Sequence, residues 1–174
     1  MASIRTCELP EGALLRAYRD RGAYTDCYVT EIDRPVSQAA YVEAFYTTAV
    51  FRLERLLLSW LAGRPSTDAE ARALASGHAA SFAAWDVEAR EANQLLLSDF
   101  RGRTRSWLMS TPGALSTRLY FGSAVVPITG GSSGPAGIGL GFRTLLGFHK
   151  LYSRTLLHAA SGRLRRSDAH PGNR

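Results

Sequence analysis

Cysteines, lysines and long apolar runs are all scarce in this chain, and each scarcity removes a class of protein. Cys7 and Cys27 are its only cysteines. They are too few for a disulfide framework, and no Cys-x-x-Cys or Cys/His cluster supports a zinc site. Both read as free thiols of a reducing cell interior, and neither a metal nor any other cofactor is expected. The first thirty residues carry Arg5, Glu8, Glu11, Arg16, Arg19, Asp20 and Arg21 with no apolar stretch between them, which argues against a secretory signal. The most apolar helix candidate, residues 39–61, is interrupted by Arg52, Glu54 and Arg55. A bilayer-spanning helix of about 20 residues rarely tolerates such charges. The expectation is a cytoplasmic protein with no membrane span.

Positive charge is in excess but is not gathered where a nucleic acid would need it. Of 21 basic residues only Lys150 is a lysine, and 15 acidic residues leave a formal net charge of +6. Arg163, Arg165, Arg166 and Arg174, set against Asp168, place much of that excess in the last residues. Elsewhere the signs alternate, as in Arg52, Glu54, Arg55 or Asp86, Glu88, Arg90. Phosphate backbones are tracked by a basic stripe, and none is evident, so no nucleic-acid partner is expected.

What is present is the composition of a folding chain. A 45% hydrophobic and 21% charged sequence of 174 residues suits one domain that buries roughly two-thirds of its unfolded surface. Tyr24, Cys27, Tyr28, Val29 and Ile32 make residues 23–33 a strand, closed by Arg34-Pro35. Ser37 caps a long helix ending at Gly63, and Ser66 or Thr67 caps a shorter one ending at Gly77. Period-two patterns follow at 81–90, 94–100, 104–111 and 116–128, joined by gaps too short for parallel crossovers. Residues 129–141 form a Gly/Ser/Pro loop, and Phe142, Leu145, Leu146, His149, Tyr152, Leu156 and Leu157 line a final helix running to about residue 160. The fold class expected is α+β: a curved antiparallel sheet of about five or more strands gripping a long C-terminal helix, with two helices inserted after strand one. Residues 1–22 are then an N-terminal extension, 23–160 a single domain and 161–174 a basic, frayed tail.

Two glycine patterns carry little chemistry. Gly130-Gly131-Ser132-Ser133-Gly134 fits Gly-x-Ser-x-Gly, but a nucleophile elbow belongs to a parallel sheet, and the only acid downstream is Asp168. Gly137-Ile138-Gly139-Leu140-Gly141 lacks dinucleotide-binding spacing. Strand pairing is more informative. Turns centred in the three gaps put Trp85, Val87, Leu96, Ser98, Arg105, Trp107, Met109, Arg118 and Tyr120 on one face, unless a bulge shifts the register. Such a face suits a flat apolar ligand with an anionic end held by arginine. His149 and Tyr152, three apart on the last helix, could face it.

The element order resembles the helix-grip superfamily of START lipid-transfer domains, pollen-allergen-like binding proteins and polyketide cyclases. Within it, the chain resembles a group of uncharacterised bacterial domains. The residues that carry the resemblance are Tyr24 to Tyr28, Ala44-Phe45-Tyr46, Phe51-Arg52-Leu53-Glu54-Arg55, Trp85 with Val87 to Arg90, Thr104-Arg105-Ser106-Trp107, Arg118 to Ser123, and His149 with Leu151-Tyr152-Ser153. The resemblance implies a cavity between sheet and last helix that holds an apolar small molecule. Trp85, Trp107 and Tyr120 are its expected walls, Arg105 and Arg118 the anion holders, and His149 and Tyr152 the groups facing them. A cyclase or hydratase using the same pocket, or an interaction module without one, is the alternative, and a homodimer is left open.

Overall fold

The computed structural model describes residues 3–62, 65–126 and 140–166, leaving out the side chains of 54, 57–62 and 140–152. Seven strands form one antiparallel sheet in the order β1-β2-β7-β6-β5-β4-β3. They are β1 Arg5–Thr6, β2 Tyr24–Ile32, β3 Ser81–Phe82, β4 Trp85–Glu91, β5 Gln94–Asp99, β6 Thr104–Pro112 and β7 Thr117–Val125. The helices are α1 Arg16–Asp20, α2 Gln38–Tyr46, α3 Ala49–Ala62, α4 Asp68–Ala75 and α5 Leu140–Arg166. The architecture is therefore the expected α+β one, a curved sheet with a long C-terminal helix and its other long helices inserted between β2 and β3. None of the described helices is long and apolar enough to cross a membrane.

The long helix expected over 38–62 is two. Thr47 and Thr48 turn their hydroxyls back on the chain: Thr47 Oγ1 donates to the Glu43 carbonyl at 2.7 Å and Thr48 Oγ1 to the Phe45 carbonyl at 3.0 Å. Thr48 Oγ1 then accepts the Phe51 N–H at 3.1 Å, capping α3. Hydroxyl side chains that compete with the backbone in this way end one helix and start the next. Ser37 caps α2 by accepting the Ala40 N–H at 3.1 Å, and Thr67 with Glu70 forms a reciprocal capping box on α4. Arg55 and Arg52 both pair with Asp68, fastening α3 to α4; Arg55 Nη1 lies 2.7 Å from the carboxylate.

Because side chains alternate along a strand, the sheet builds a separate core on each face. On one, Tyr28, Leu95, Leu97, Leu108, Leu119 and Phe121 pack against α2, Phe51, α4 and the Leu156, Leu157, Ala160 and Leu164 stripe of α5. On the other, Cys27, Leu96, Trp107, Met109 and Ala124 are covered by Leu9, Ala13, Leu15, Tyr18 and Ala23. Gln94, 4% exposed, stitches this second core. Its Oε1 accepts the Leu14 N–H at 3.0 Å and the Trp107 Nε1–H at 2.8 Å, while Nε2 donates to the Gly12 carbonyl at 3.0 Å.

Two further expectations are corrected. The strand expected over 81–90 is broken at Ala83, whose φ of 54° is left-handed, and a bulge between Val87 and Ala89 shifts its register on β5. The tail expected from residue 161 is helical as far as Arg166. Leu164 continues the apolar stripe into the core, and Arg163 and Arg165 donate to the carbonyls of Thr47 and Glu31. Residues 167–174, and the glycine patterns up to residue 139, lie outside the described residues.

Gly122 of β7 stands under Leu15. A Cβ there would lie 2.9 Å from Leu15 Cδ2 and from the Asp26 carbonyl, and 3.0 Å from Trp107 Cε3. Gly122→Ala is expected to lower stability by about 1–3 kcal/mol as an overpacking change; an unchanged urea midpoint refutes the close approach. Asp68 supplies a pH test. The Arg55 hydrogen bond, aided by Arg52, holds its carboxyl below the usual aspartate range against the opposing effect of burial. The stability it contributes is thus present above the unfolded aspartate value and lost as pH falls through the lowered folded one. The difference in urea midpoint between wild type and Asp68→Asn should shrink as pH is taken from 5 towards 2. A constant difference over that range rejects the linkage.

Candidate ligand cavity

A cavity of about 190 Å³ lies between the sheet and α5, lined by Phe45, Phe51, Trp85, Phe121, Leu156, Ser106, Ser123, Ser153 and the Thr104-Arg105 end of β6. Its origin is a run of small side chains where the core otherwise carries large ones. Ser106 of β6 and Ser123 of β7 are direct partners across the ladder, one step from the Leu108–Phe121 pair on the same face. Ser153, fully buried on α5, stands over the same space. The walls are aromatic and interlocked: Phe45 lies 4.9 Å from Phe121 and 6.3 Å from Phe51, centroid to centroid, and Phe51 4.8 Å from Tyr46.

The polar atoms around the cavity fall into two groups. Ser123 is committed: its hydroxyl donates to Asp26 Oδ1 at 2.6 Å and its N–H to the same oxygen at 3.0 Å. Ser106 Oγ is 3.2 Å from Tyr46 Oη, and Thr104 Oγ1 donates to Asp99 at 2.9 Å. Trp85 Nε1 and Ser153 Oγ, by contrast, are buried with no hydrogen-bond partner among the described residues. A buried polar group left in that condition costs about 1–3 kcal/mol. No group of His, Cys, Asp and Glu among the described residues could hold a metal ion.

The face on which the sequence grouped its site residues is divided by the bulge in β4. Trp85 sits opposite Asp99 and Val87 opposite Leu97, so both look toward the helices. Leu96, Ser98, Arg105, Trp107, Met109, Arg118 and Tyr120 belong to the other face by register. Trp107 is fully buried there beneath the N-terminal segment, 6.4 Å from the Tyr120 ring. Arg105 borders the cavity through its position on β6, but its guanidinium is tied into a clasp on the far face. Its Nε is 2.5 Å from Glu88 Oε2, donates to Tyr18 Oη at 2.7 Å, and its Cζ lies 4.6 Å over the Tyr18 ring. Tyr18 in turn donates to Glu88. Burial, with the Glu88 bond, holds the Tyr18 hydroxyl above the usual tyrosine value against the opposing pull of Arg105. Arg118 is exposed and 4.0 Å from the Glu31 carboxylate. The side chains of His149 and Tyr152 lie outside the described residues. Phe45, Phe51, Phe121 and the three serines were not among the site residues expected from the sequence, although all six stand in the segments that carry the resemblance.

No family model matches the chain, and comparison with curated proteins gives no match. Among solved structures, CalU16 from Micromonospora echinospora is similar at 15% identity over 97% of this chain and 96% of that one, with a TM-score of 0.33. The fold therefore rests on the strand pairing described above.

The two arginines should separate cleanly. Arg118→Ala is expected to change stability by no more than about 0.5 kcal/mol, as for exposed pairs generally. Arg105→Ala, which leaves Glu88 and Tyr18 without their shared partner, should destabilise by about 1–3 kcal/mol. Urea unfolding of both variants checks this, and equal losses would contradict the clasp.

Proposed function

We propose that the protein binds a small, mostly apolar aromatic molecule in the cavity between the sheet and α5. The observation that supports this reading is the meeting of phenylalanine walls with two buried polar atoms, Trp85 Nε1 and Ser153 Oγ, that the protein's described groups do not satisfy. An indole N–H can only donate, so the group that satisfies Trp85 must be an acceptor. A phenol, benzyl alcohol or aromatic aldehyde presents a ring to the walls and oxygen to Trp85.

Size narrows the class. A volume of about 190 Å³ slightly exceeds the roughly 150 Å³ of an engineered cavity that takes up benzene and falls below the roughly 300–1,000 Å³ of drug-sized sites. A single ring with short substituents fits that range. An anionic end is disfavoured, because Arg105 is engaged by Glu88 and Tyr18 and Arg118 lies on the opposite face.

A thermal-shift series of toluene, phenols, benzyl alcohols, benzaldehydes and benzoates tests the reading. Neutral oxygenated rings should raise Tm saturably and perturb tryptophan fluorescence, with benzoates weaker. Ser153→Leu, which places a side chain in the cavity, should abolish the shift while the protein stays folded. Trp85→Phe should weaken oxygenated ligands roughly 2- to 12-fold, the worth of one net hydrogen bond, and spare toluene. Absence of a shift with every compound, or full retention of it in Ser153→Leu, removes the proposal.

A further inference from the structure

On the sheet face away from the cavity, the N-terminal segment meets β2 through two thiols. β1 sets Arg5 opposite Val29 and Thr6 opposite Tyr28. The next step brings Cys7 to Cys27, and the Cys7 N–H donates to the Cys27 carbonyl at 3.0 Å. Opposed residues in an antiparallel pair have Cα atoms about 4.5–5.5 Å apart, within the span a disulfide bridges. The two sulfurs lie 3.2 Å apart in a shared hydrogen bond. Reaching an S–S bond of about 2.05 Å takes only about an ångström of closure.

The two thiols have different surroundings. Cys27 is buried and Cys7 partly exposed, and both border a crevice of about 260 Å³ lined also by Glu8, Leu9, Arg19, Thr25 and Asp26. We propose that Cys7 and Cys27 form a redox modification site in which Cys7 attacks a small-molecule disulfide and Cys27 resolves the product. The order of attack agrees with the electrostatics. The hydrogen bond to Cys27, with the Arg5 charge, lowers Cys7 against the effect of burial, and the same bond with burial pushes Cys27 up.

The reaction balances without a further reagent. The Cys7 thiolate forms a bond to one sulfur of the disulfide RSSR and expels RS⁻. Cys27 then yields its proton, attacks Cys7 Sγ and expels the second RS⁻. Two protein thiols are oxidised to one disulfide, and one RSSR is reduced to two RSH. The bridge closes a loop between residues 20 apart that contains Leu15 and Tyr18, locking the segment that covers Trp107.

Incubation of the reduced 174-residue chain with oxidised glutathione, acid quenching and intact-mass measurement tests this. Wild type should lose two hydrogen atoms and carry no adduct, Cys27→Ala should stop at one glutathione adduct, and Cys7→Ala should stay largely unmodified. The bridged protein should melt several degrees higher than the reduced one. A wild type that retains an adduct or keeps both thiols free, a Cys7→Ala that reacts as fast as wild type, or an unchanged Tm overturns the proposal. The wild-type mass and melting results decide it even where a variant fails to fold.

Discussion

The register of β7 between β2 and β6 is the constraint on which the rest depends. Gly122 stands opposite both Cys27 and Trp107 in its two ladders, and it is the absence of its side chain that lets Leu15 descend onto the sheet. Side chains alternate with period two, so the same register turns Phe121 and Ser123 to the helical face. Slipping it by one residue would put a phenylalanine under Leu15 and bury Gly122 where the cavity now lies. One pairing choice therefore sets the N-terminal cover and the candidate binding space together.

The two faces use that register differently. Away from the helices, Trp107 and Leu15 are fully buried, and Gln94 satisfies the backbone of residues 12 and 14 along with the indole of Trp107. The Tyr18, Glu88 and Arg105 clasp closes the same face from its side. Residues 3–23 are thus an integral part of the packing. Toward α5, close packing is relaxed in one place, where Ser106, Ser123 and Ser153 converge. A void there forfeits contact energy that leucines would supply, and the interlocked Phe45, Phe51 and Phe121 rings hold its walls apart. Stability concentrated on one face and small side chains on the other is a reasonable division for a fold that keeps an internal space.

Most elements were legible because their signals are local. Ser37 and Thr67 cap where hydroxyls before apolar runs should cap, and three short turns compelled antiparallel pairing. Where the reading failed, a single residue outweighed the average. Thr47 and Thr48 split a helix whose apolar spacing continues unbroken, Leu164 carried α5 past the expected end, and the bulge after Val87 moved Trp85 to the face opposite Trp107. Arg105 and Arg118, expected to hold an anion, have Glu88 and Glu31 beside them, partners that no spacing rule links to them.

By itself, the sequence determined the strand and helix types and the antiparallel order of the later strands, which follow from side-chain period and turn chemistry within a few residues. Tertiary structure alone decided which face each strand presents, that the N-terminal segment covers one of them, and that Cys7 meets Cys27. These depend on contacts between residues far apart in the chain, and a one-residue bulge, undetectable in the pattern, reverses the side on which a strand's residues emerge.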